Sequence, residues 1–308
     1  MTYNQLWKRL TAIYNEREAQ AIVRTVLDAL FGMSLTDICL GKVTQLSADD
    51  TTRLEKIIQR LEKSEPVQYV LGTEWFAGRL FDVAPGVLIP RPETEDLVKW
   101  ACDEAKEKEK EDNSKEERGK EEKEGLKKEE EAPHPSILDI GTGSGCIAIT
   151  VALALPQARV TAWDISTDAL AIAAGNAHKL GASVRFEHQD ALSAPDDEER
   201  WDVIVSNPPY ICDRERADMS DNVLSYEPEL ALFVPDSDPL LFYRAIARYA
   251  SKALKPGGRL LFETNTAYAH EVAQAMADEG FTAIEVRNDC FGKPRMVKGA
   301  FIREELIK

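Results

Sequence analysis

Apolar residues recur at helical spacing through the first sixty positions. Leu54, Ile57, Ile58 and Leu61 follow an i, i+3, i+4, i+7 pattern, and Leu6–Tyr14 and Ala19–Leu30 carry similar faces. This portion predicts a small helical bundle over 1–66. The pattern then changes to short extended runs. Tyr69–Phe76 and Arg79–Val83 flank Ala77-Gly78, which predicts a β-hairpin, and the segment 67–90 reads as a linker between two domains.

Beyond position 135, short apolar strands alternate with helical stretches. The predicted strands are Ser136–Ile140, Ala158–Trp163, Ser183–His188 and Trp201–Ser206. Helices are predicted at Cys146–Leu155, which stops at Pro156, and at Thr167–Leu180. Such alternation builds an α/β fold with a mostly parallel sheet, and ligands of open α/β sheets sit beyond the carboxyl ends of the strands. The second domain is therefore expected to span 91–308.

A charged stretch at 103–132 interrupts that domain, after a helix expected at Thr94–Cys102. It holds almost no apolar residues and is expected to bury no face, as a solvated helix or a disordered loop that ends at Pro133. Its 14 acidic and 9 basic residues between 103 and 131 leave most of the chain's net charge of −16 elsewhere. Positions 1–66, with 9 acidic and 9 basic residues, are neutral. A chain this acidic is a poor candidate for affinity built on phosphate neutralisation, so no nucleic-acid partner is expected, and the neutral bundle suits recognition of a protein. No run of 18 apolar residues exists, so no membrane span is expected. The five cysteines lack Cys-x-x-Cys spacing and the four histidines are far apart, so no metal site is expected and a reducing cytoplasm fits.

Chemistry concentrates at the strand ends. Asp139-Ile140-Gly141-Thr142-Gly143-Ser144-Gly145 joins the first strand of the α/β portion to a helix, and its glycines let backbone approach a ligand closely. A dinucleotide fingerprint needs its third Gly at 146, which is Cys146. Asp164 ends the next strand, where a carboxylate either binds ribose hydroxyls or caps the following helix. Asp190 and Ala191 follow the third strand; Asp190 suits either an adenine amino group or a turn cap. Asn207-Pro208-Pro209-Tyr210 ends the fourth. The Asn oxygen accepts from an NH2 group, proline makes the corner rigid and leaves its carbonyls free, and the Tyr ring packs on a flat target. An ordinary X-Pro-Pro turn is the plain alternative.

The Asp-x-Gly-x-Gly-x-Gly segment resembles the first motif of class I S-adenosylmethionine-dependent methyltransferases. With Pro66-Val67-Gln68-Tyr69, Ile89-Pro90-Arg91-Pro92-Glu93-Thr94-Glu95, Asn207-Pro208-Pro209-Tyr210-Ile211 and Tyr226-Glu227-Pro228, the chain resembles the peptide chain release factor N5-glutamine methyltransferases, the PrmC/HemK family, over all but the charged insert. The resemblance implies a Rossmann-like, seven-stranded methyltransferase domain behind a helical substrate-recognition domain, its last strands at Arg259–Glu263, Thr282–Val286 and Val297–Ile302, with S-adenosyl-L-methionine as methyl donor and class I release factors as substrates, methylated at the Gln of their Gly-Gly-Gln motif. It implies cofactor contacts from Gly141, Thr142, Gly143, Ser144, Gly145, Asp164, Asp190, Ala191 and Asn207. Asn207, Pro208 and Tyr210 carry catalysis, and Asn207, Pro208, Pro209, Tyr210, Arg91, Glu93, Thr94 and Glu227 border the substrate, with Glu227 anchoring the loop 212–230. A surface ion pair with Glu93 or Glu95 is the plain alternative for Arg91. The enzyme is expected to act as a monomer. Ala191 stands where some members carry an aromatic beside the adenine. The same Asn-Pro-Pro-Tyr chemistry serves DNA adenine-N6 methylation, so that reading stays open, with a ribosomal-protein glutamine substrate and a non-catalytic cofactor-binding scaffold beside it.

Overall fold

The computed structural model describes residues 1–121 and 134–302, and the side chains of 115–121 lie outside that description. The bundle comes first in the chain. Helices Tyr3–Leu10, Glu16–Phe31, Leu35–Cys39 and Ala48–Leu61 are started by side-chain caps from Thr2, Asn15, Ser34 and Ser47. Their apolar stripes meet in one core around Leu6, Leu10, Val23, Leu27, Leu54, Ile58 and Leu61, all essentially buried. Arg9 ties the first and fourth helices by pairing with both Glu55 and Glu62 at 2.7 Å.

The linker differs from expectation. Val67–Leu71 is a short helix between Pro66 and Gly72, whose left-handed φ of 75° ends it. The hairpin therefore starts later, as β1 (Thr73–Phe76) paired with β2 (Arg79–Asp82). A left-handed Gly at a helix terminus outweighs the β-propensity of Tyr69 and Val70. Phe76 and Phe81 pack edge to face at 6.0 Å. They share a core with Leu97 and Ala101 of the next helix, so the hairpin packs on the α/β layer.

Seven strands form the central sheet: β3 (Ser136–Ile140), β4 (Arg159–Asp164), β5 (Val184–His188), β6 (Trp201–Ser206), β9 (Leu254–Glu263), β10 (Phe281–Asn288) and β11 (Pro294–Phe301). Two minor strands, β7 (Ile211–Cys212) and β8 (Phe233–Val234), pair apart from it. The order across the sheet is β10-β11-β9-β6-β3-β4-β5. The five strands from β9 to β5 are parallel, and β11 runs antiparallel to both β9 and β10. Chain order reverses between β3 and β6, which opens a crevice above their carboxyl ends. Every residue of β3 and β6 is buried. Helices Pro92–Glu121 and Cys146–Ala154 cover one face, and Leu241–Ala253 and Ala269–Asp278 the other.

The first part of the charged stretch is structural, contrary to expectation. Helix Pro92–Glu121 does not stop at Cys102, and Ala105, Glu104 and Lys108 are buried against the sheet. Glu104 accepts from Trp100 Nε1 at 3.0 Å, Arg259 at 3.2 Å and Lys298 at 2.5 Å. Lys108 pairs with Asp112 at 2.5 Å. A charged face buries when partners elsewhere neutralise it, and counting apolar residues misses such a face. Of the remainder, 122–132 and the ending assigned to Pro133 lie outside the described residues. Among the described residues, no helix is long and apolar enough to cross a membrane.

Candidate active site

Two cavities meet above the crevice. The larger, about 290 Å³, is lined by Gly141 and Gly143 of the glycine loop, Asp164 after β4, Asp190 and Ala191 after β5, and Asn207, Pro208 and Pro209 after β6. The smaller, about 150 Å³, is lined by Arg91, Asn207, Pro208 and Tyr210 together with apolar Leu88 and Met219. Asn207 and Pro208 belong to both walls.

The glycine loop is held by β4. Gly141 and Thr142 N–H both donate to Trp163 O at 2.9 Å. Gly143 N–H donates to Asp164 Oδ2 at 2.8 Å, and Ser166 N–H to Asp164 Oδ1 at 2.8 Å. Ser166 caps helix Thr167–Leu180 through Ala169 N–H, so Asp164 is not the helix cap. Its carboxylate faces the larger cavity with lone pairs to spare.

The loop positions divide into two sets. Thr142, Ser144 and Gly145, expected to touch cofactor, do not line the cavity. Thr142 Oγ1 donates to the buried Asp139 at 2.6 Å, and Ser144 O accepts from Asn176 at 2.9 Å. Gly145, at φ 82°, is packed so tightly that an added Cβ would sit 2.7 Å from Ile149 and 3.1 Å from Ala173. Thr142 and Ser144 turn their polar atoms to groups behind the loop and Gly145 is packed against Ile149 and Ala173, so only part of the motif reaches a ligand.

Asp139 is completely buried. Burial, with the charge of Asp164 adding to it, pushes its carboxyl up to about 7 against the hydrogen bonds from Thr142 and Ala148. Its Oδ1 has no hydrogen-bond partner in the protein. Asp190 Oδ1 accepts from Leu192 N–H at 2.8 Å, so it does cap the turn Ala191–Ser193 while lining the cavity. No aromatic stands at 191, but Phe242 and Ile246 line the same cavity from helix Leu241–Ala253, facing Leu192 of the turn Ala191–Ser193. Phe242 carried no sequence signal, because it precedes rather than follows a strand end.

The expected substrate residues also divide. Arg91 lines the smaller cavity and pairs with Glu227 at 2.6 Å, not with Glu93 or Glu95. Glu227 is buried and also accepts from Ile89 N–H at 3.2 Å, so it anchors the loop before Pro228, Leu230 and Ala231, which line the larger cavity. Tyr226 OH donates to Lys63 O at 2.8 Å, tying this loop to the bundle. Glu93 is half-buried and lines neither cavity. Thr94 is 2% exposed and lies behind the wall, with Oγ1 donating to Glu263 Oε2 at 2.6 Å. Asn207 Nδ2 donates to that same Thr94 oxygen at 3.3 Å. Tyr210 OH donates to Glu263 Oε1 at 3.2 Å. Burial raises Glu263 above the ordinary carboxylate range, opposed by the hydroxyl of Thr94, the charge of Arg295 and the hydroxyl of Tyr210, with Glu93 raising it further. Glu263, which joins Thr94 and Tyr210 behind the cavity wall, is a residue that sequence reasoning passed over. Its signal was its place at the carboxyl end of β9.

The donor set fits an adenosyl ligand: carboxylates at the ends of β4 and β5, two bare glycines, an apolar slot and an unpaired buried acceptor behind the loop. Such a sheet order with such a site defines a class I S-adenosylmethionine-dependent methyltransferase. The family model "Methyltransferase small domain" matches residues 125–225, and "PrmC N-terminal domain" matches 3–72. Release factor glutamine methyltransferases from three bacteria are similar over nearly the whole chain. That of Bacteroides thetaiotaomicron is 44% identical over 94% of this chain and 95% of its own. Those of Flavobacterium psychrophilum and Chlorobaculum tepidum are each 36% identical, over 96% and 92% of this chain and 97% and 92% of their own. The chain belongs to the release factor glutamine methyltransferase family.

Proposed function

We propose that this enzyme transfers a methyl group from S-adenosyl-L-methionine to the side-chain amide nitrogen of the Gln in the Gly-Gly-Gln motif of class I peptide chain release factors. The observation that carries the reading is the rigid corner Asn207-Pro208, which forms a wall of both cavities. A group reaching through the smaller one thus meets a donor held in the larger one at a single point.

Bound S-adenosylmethionine supplies an electrophilic methyl group on its sulfonium. Gly141, Gly143, Asp164 and Asp190 would hold its adenosyl part, and Ala191 and Phe242 line the same cavity. Asn207 Oδ1 and the Pro208 carbonyl accept the two N–H groups of the target amide, and Tyr210 walls its flat face. Acceptors on both hydrogens hold the nitrogen toward the methyl carbon and return electron density to a weak nucleophile. One carbon–nitrogen bond forms, the sulfonium carbon–sulfur bond breaks and one amide proton leaves to solvent. Arg91 and the loop pinned by Glu227 border the approach, and the helical bundle docks the protein substrate.

Incubation of the protein with a purified class I release factor and methyl-labelled donor tests this. Mass spectrometry is expected to find one added methyl on the Gly-Gly-Gln peptide and none on a Gln→Ala substrate. Label appearing instead on a ribosomal protein or on DNA adenine would replace the substrate; no transfer to any of them would leave a cofactor-binding scaffold.

A further inference from the structure

We infer that buried Glu263 is a positioning residue that orients the Asn207 amide through the hydroxyl of Thr94, and this rests on the amide-acceptor reading of Asn207. A side-chain amide has two nearly isosteric orientations, one presenting an acceptor and one presenting donors to the target. Only the first serves a nitrogen nucleophile that carries two N–H groups.

The selection follows from donor arithmetic. In its ionised form Glu263 only accepts, so Thr94 Oγ1 then spends its single proton on Glu263 Oε2, which it reaches at 2.6 Å. What remains on that oxygen is lone pairs, so it faces Asn207 as an acceptor and draws Nδ2 at 3.3 Å. Oδ1 is thereby turned to the opposite side, where Asn207 lines both cavities. The other carboxylate oxygen takes the Tyr210 hydroxyl at 3.2 Å and so holds the second wall as well. Glu263 is 1% exposed and Thr94 2%, so water does not substitute for either partner. The positive charge of Arg295, which is held by buried Asp289 at 3.2 Å, favours the ionised form of Glu263. A buried carboxylate that joins two elements facing a target is a polar network with a defined direction.

The test compares Thr94→Val, which removes the hydroxyl at constant shape, with Thr94→Ser, which keeps it. In wild type, hydrogen exchange of the Asn207 side-chain NH2, followed by nitrogen-15 NMR and assigned with Asn207→Asp, is expected to be slowed. Thr94→Val is expected to speed it at least tenfold and Thr94→Ser to leave it slow. This readout needs no turnover, so it stands even if the release factor proves not to be the substrate. On the active substrate, Thr94→Val is expected to lower kcat about tenfold to a hundredfold with KM for the methyl donor unchanged, and Thr94→Ser to restore most of it. In an Asn207→Ala background the Thr94→Val loss is expected to vanish, because Thr94 acts only through Asn207. Unchanged exchange and kcat in Thr94→Val, a change in KM alone, or a loss that adds fully to that of Asn207→Ala would each overturn the assignment. If Thr94→Val does not fold, Glu263→Gln is read by the same exchange measurement, with faster exchange expected and unchanged exchange overturning the role.

Discussion

Asn207 donates its side-chain amide to Thr94 Oγ1 across 3.3 Å, although the two residues are 113 positions apart. One stands at the corner after β6 and the other in the first turn of helix Pro92–Glu121, so the Asn-Pro-Pro-Tyr corner is held by the helix that packs the sheet. The substrate-side motif and the segment before the glycine loop are therefore one unit.

Asn207→Ala removes the side chain proposed to accept from the target amide. We expect methyl transfer to fall by about 10²–10³, the loss typical of removing one positioned hydrogen-bonding group. Affinity for S-adenosylmethionine, measured by calorimetry, is expected to stay within a few-fold, because Asp164 and the glycine loop remain. A variant that retains its rate in single-turnover assays would remove Asn207 from catalysis.

Asp164→Ala acts on the other cavity. It takes away the acceptor for Gly143 N–H and the carboxylate facing the cavity at once. The donor's Kd is expected to rise roughly 10- to 100-fold, matching about 1.5–3 kcal/mol for hydrogen bonds to a charged group. Calorimetric titration checks this, and an unchanged Kd would show that Asp164 serves only the loop.

Arg91→Ala leaves the Glu227 side chain, 1% exposed, with Ile89 N–H as its remaining partner in the described contacts. A stability loss of about 1–3 kcal/mol is expected from an under-satisfied buried acceptor. Because that pair pins the loop over the cavities, limited proteolysis is expected to cut between 213 and 231 faster, and KM for the protein substrate to rise. Equal proteolysis rates would place the anchor elsewhere.

Two glycines separate strain from crowding. Gly181 has φ 72° with nothing within 4 Å of an added Cβ, whereas Gly145 has φ 82° and a Cβ would collide with Ile149 and Ala173. Gly181→Ala is expected to cost about 1–2 kcal/mol, from left-handed backbone alone. Gly145→Ala adds about 1–3 kcal/mol of overpacking. Urea unfolding at unchanged m-value measures the difference.

The Asp139 carboxyl sits at about 7 in the folded protein against 3.8 for the free group, because burial disfavours its charge. The folded state therefore holds a proton that the unfolded state has released between these values. Its contribution is full below about 3.8 and is lost as pH rises through about 7. For the ligand-free protein, unfolding free energy is expected to decline across that window, and Asp139→Asn to flatten the decline. A wild-type profile no steeper than the variant's would disprove the assignment.

Strand ends, the glycine loop, the Asn-Pro-Pro-Tyr corner and the fold class were legible in the chain because each is a local event. Periodicity of side chains, φ restriction by proline and positive φ at glycine act over a few residues, and the parallel order then places four motifs at one edge. The anchoring of the substrate loop by Glu227 belonged to that reading too. What folding alone settled are the groups whose meaning lies in distant partners. Glu263 becomes an orienting carboxylate only when Thr94, 169 positions away, is folded against it, and Glu104 becomes a buried anchor only beside Lys298, 194 positions away. The facing of Gly143 and not Gly145 into the cavity likewise depends on what packs behind the turn. A charge or a glycine in sequence is the same residue in a solvated or a buried place. Burial and the partners that compensate it are set by the whole chain together, and they decide whether that residue is surface, scaffold or site.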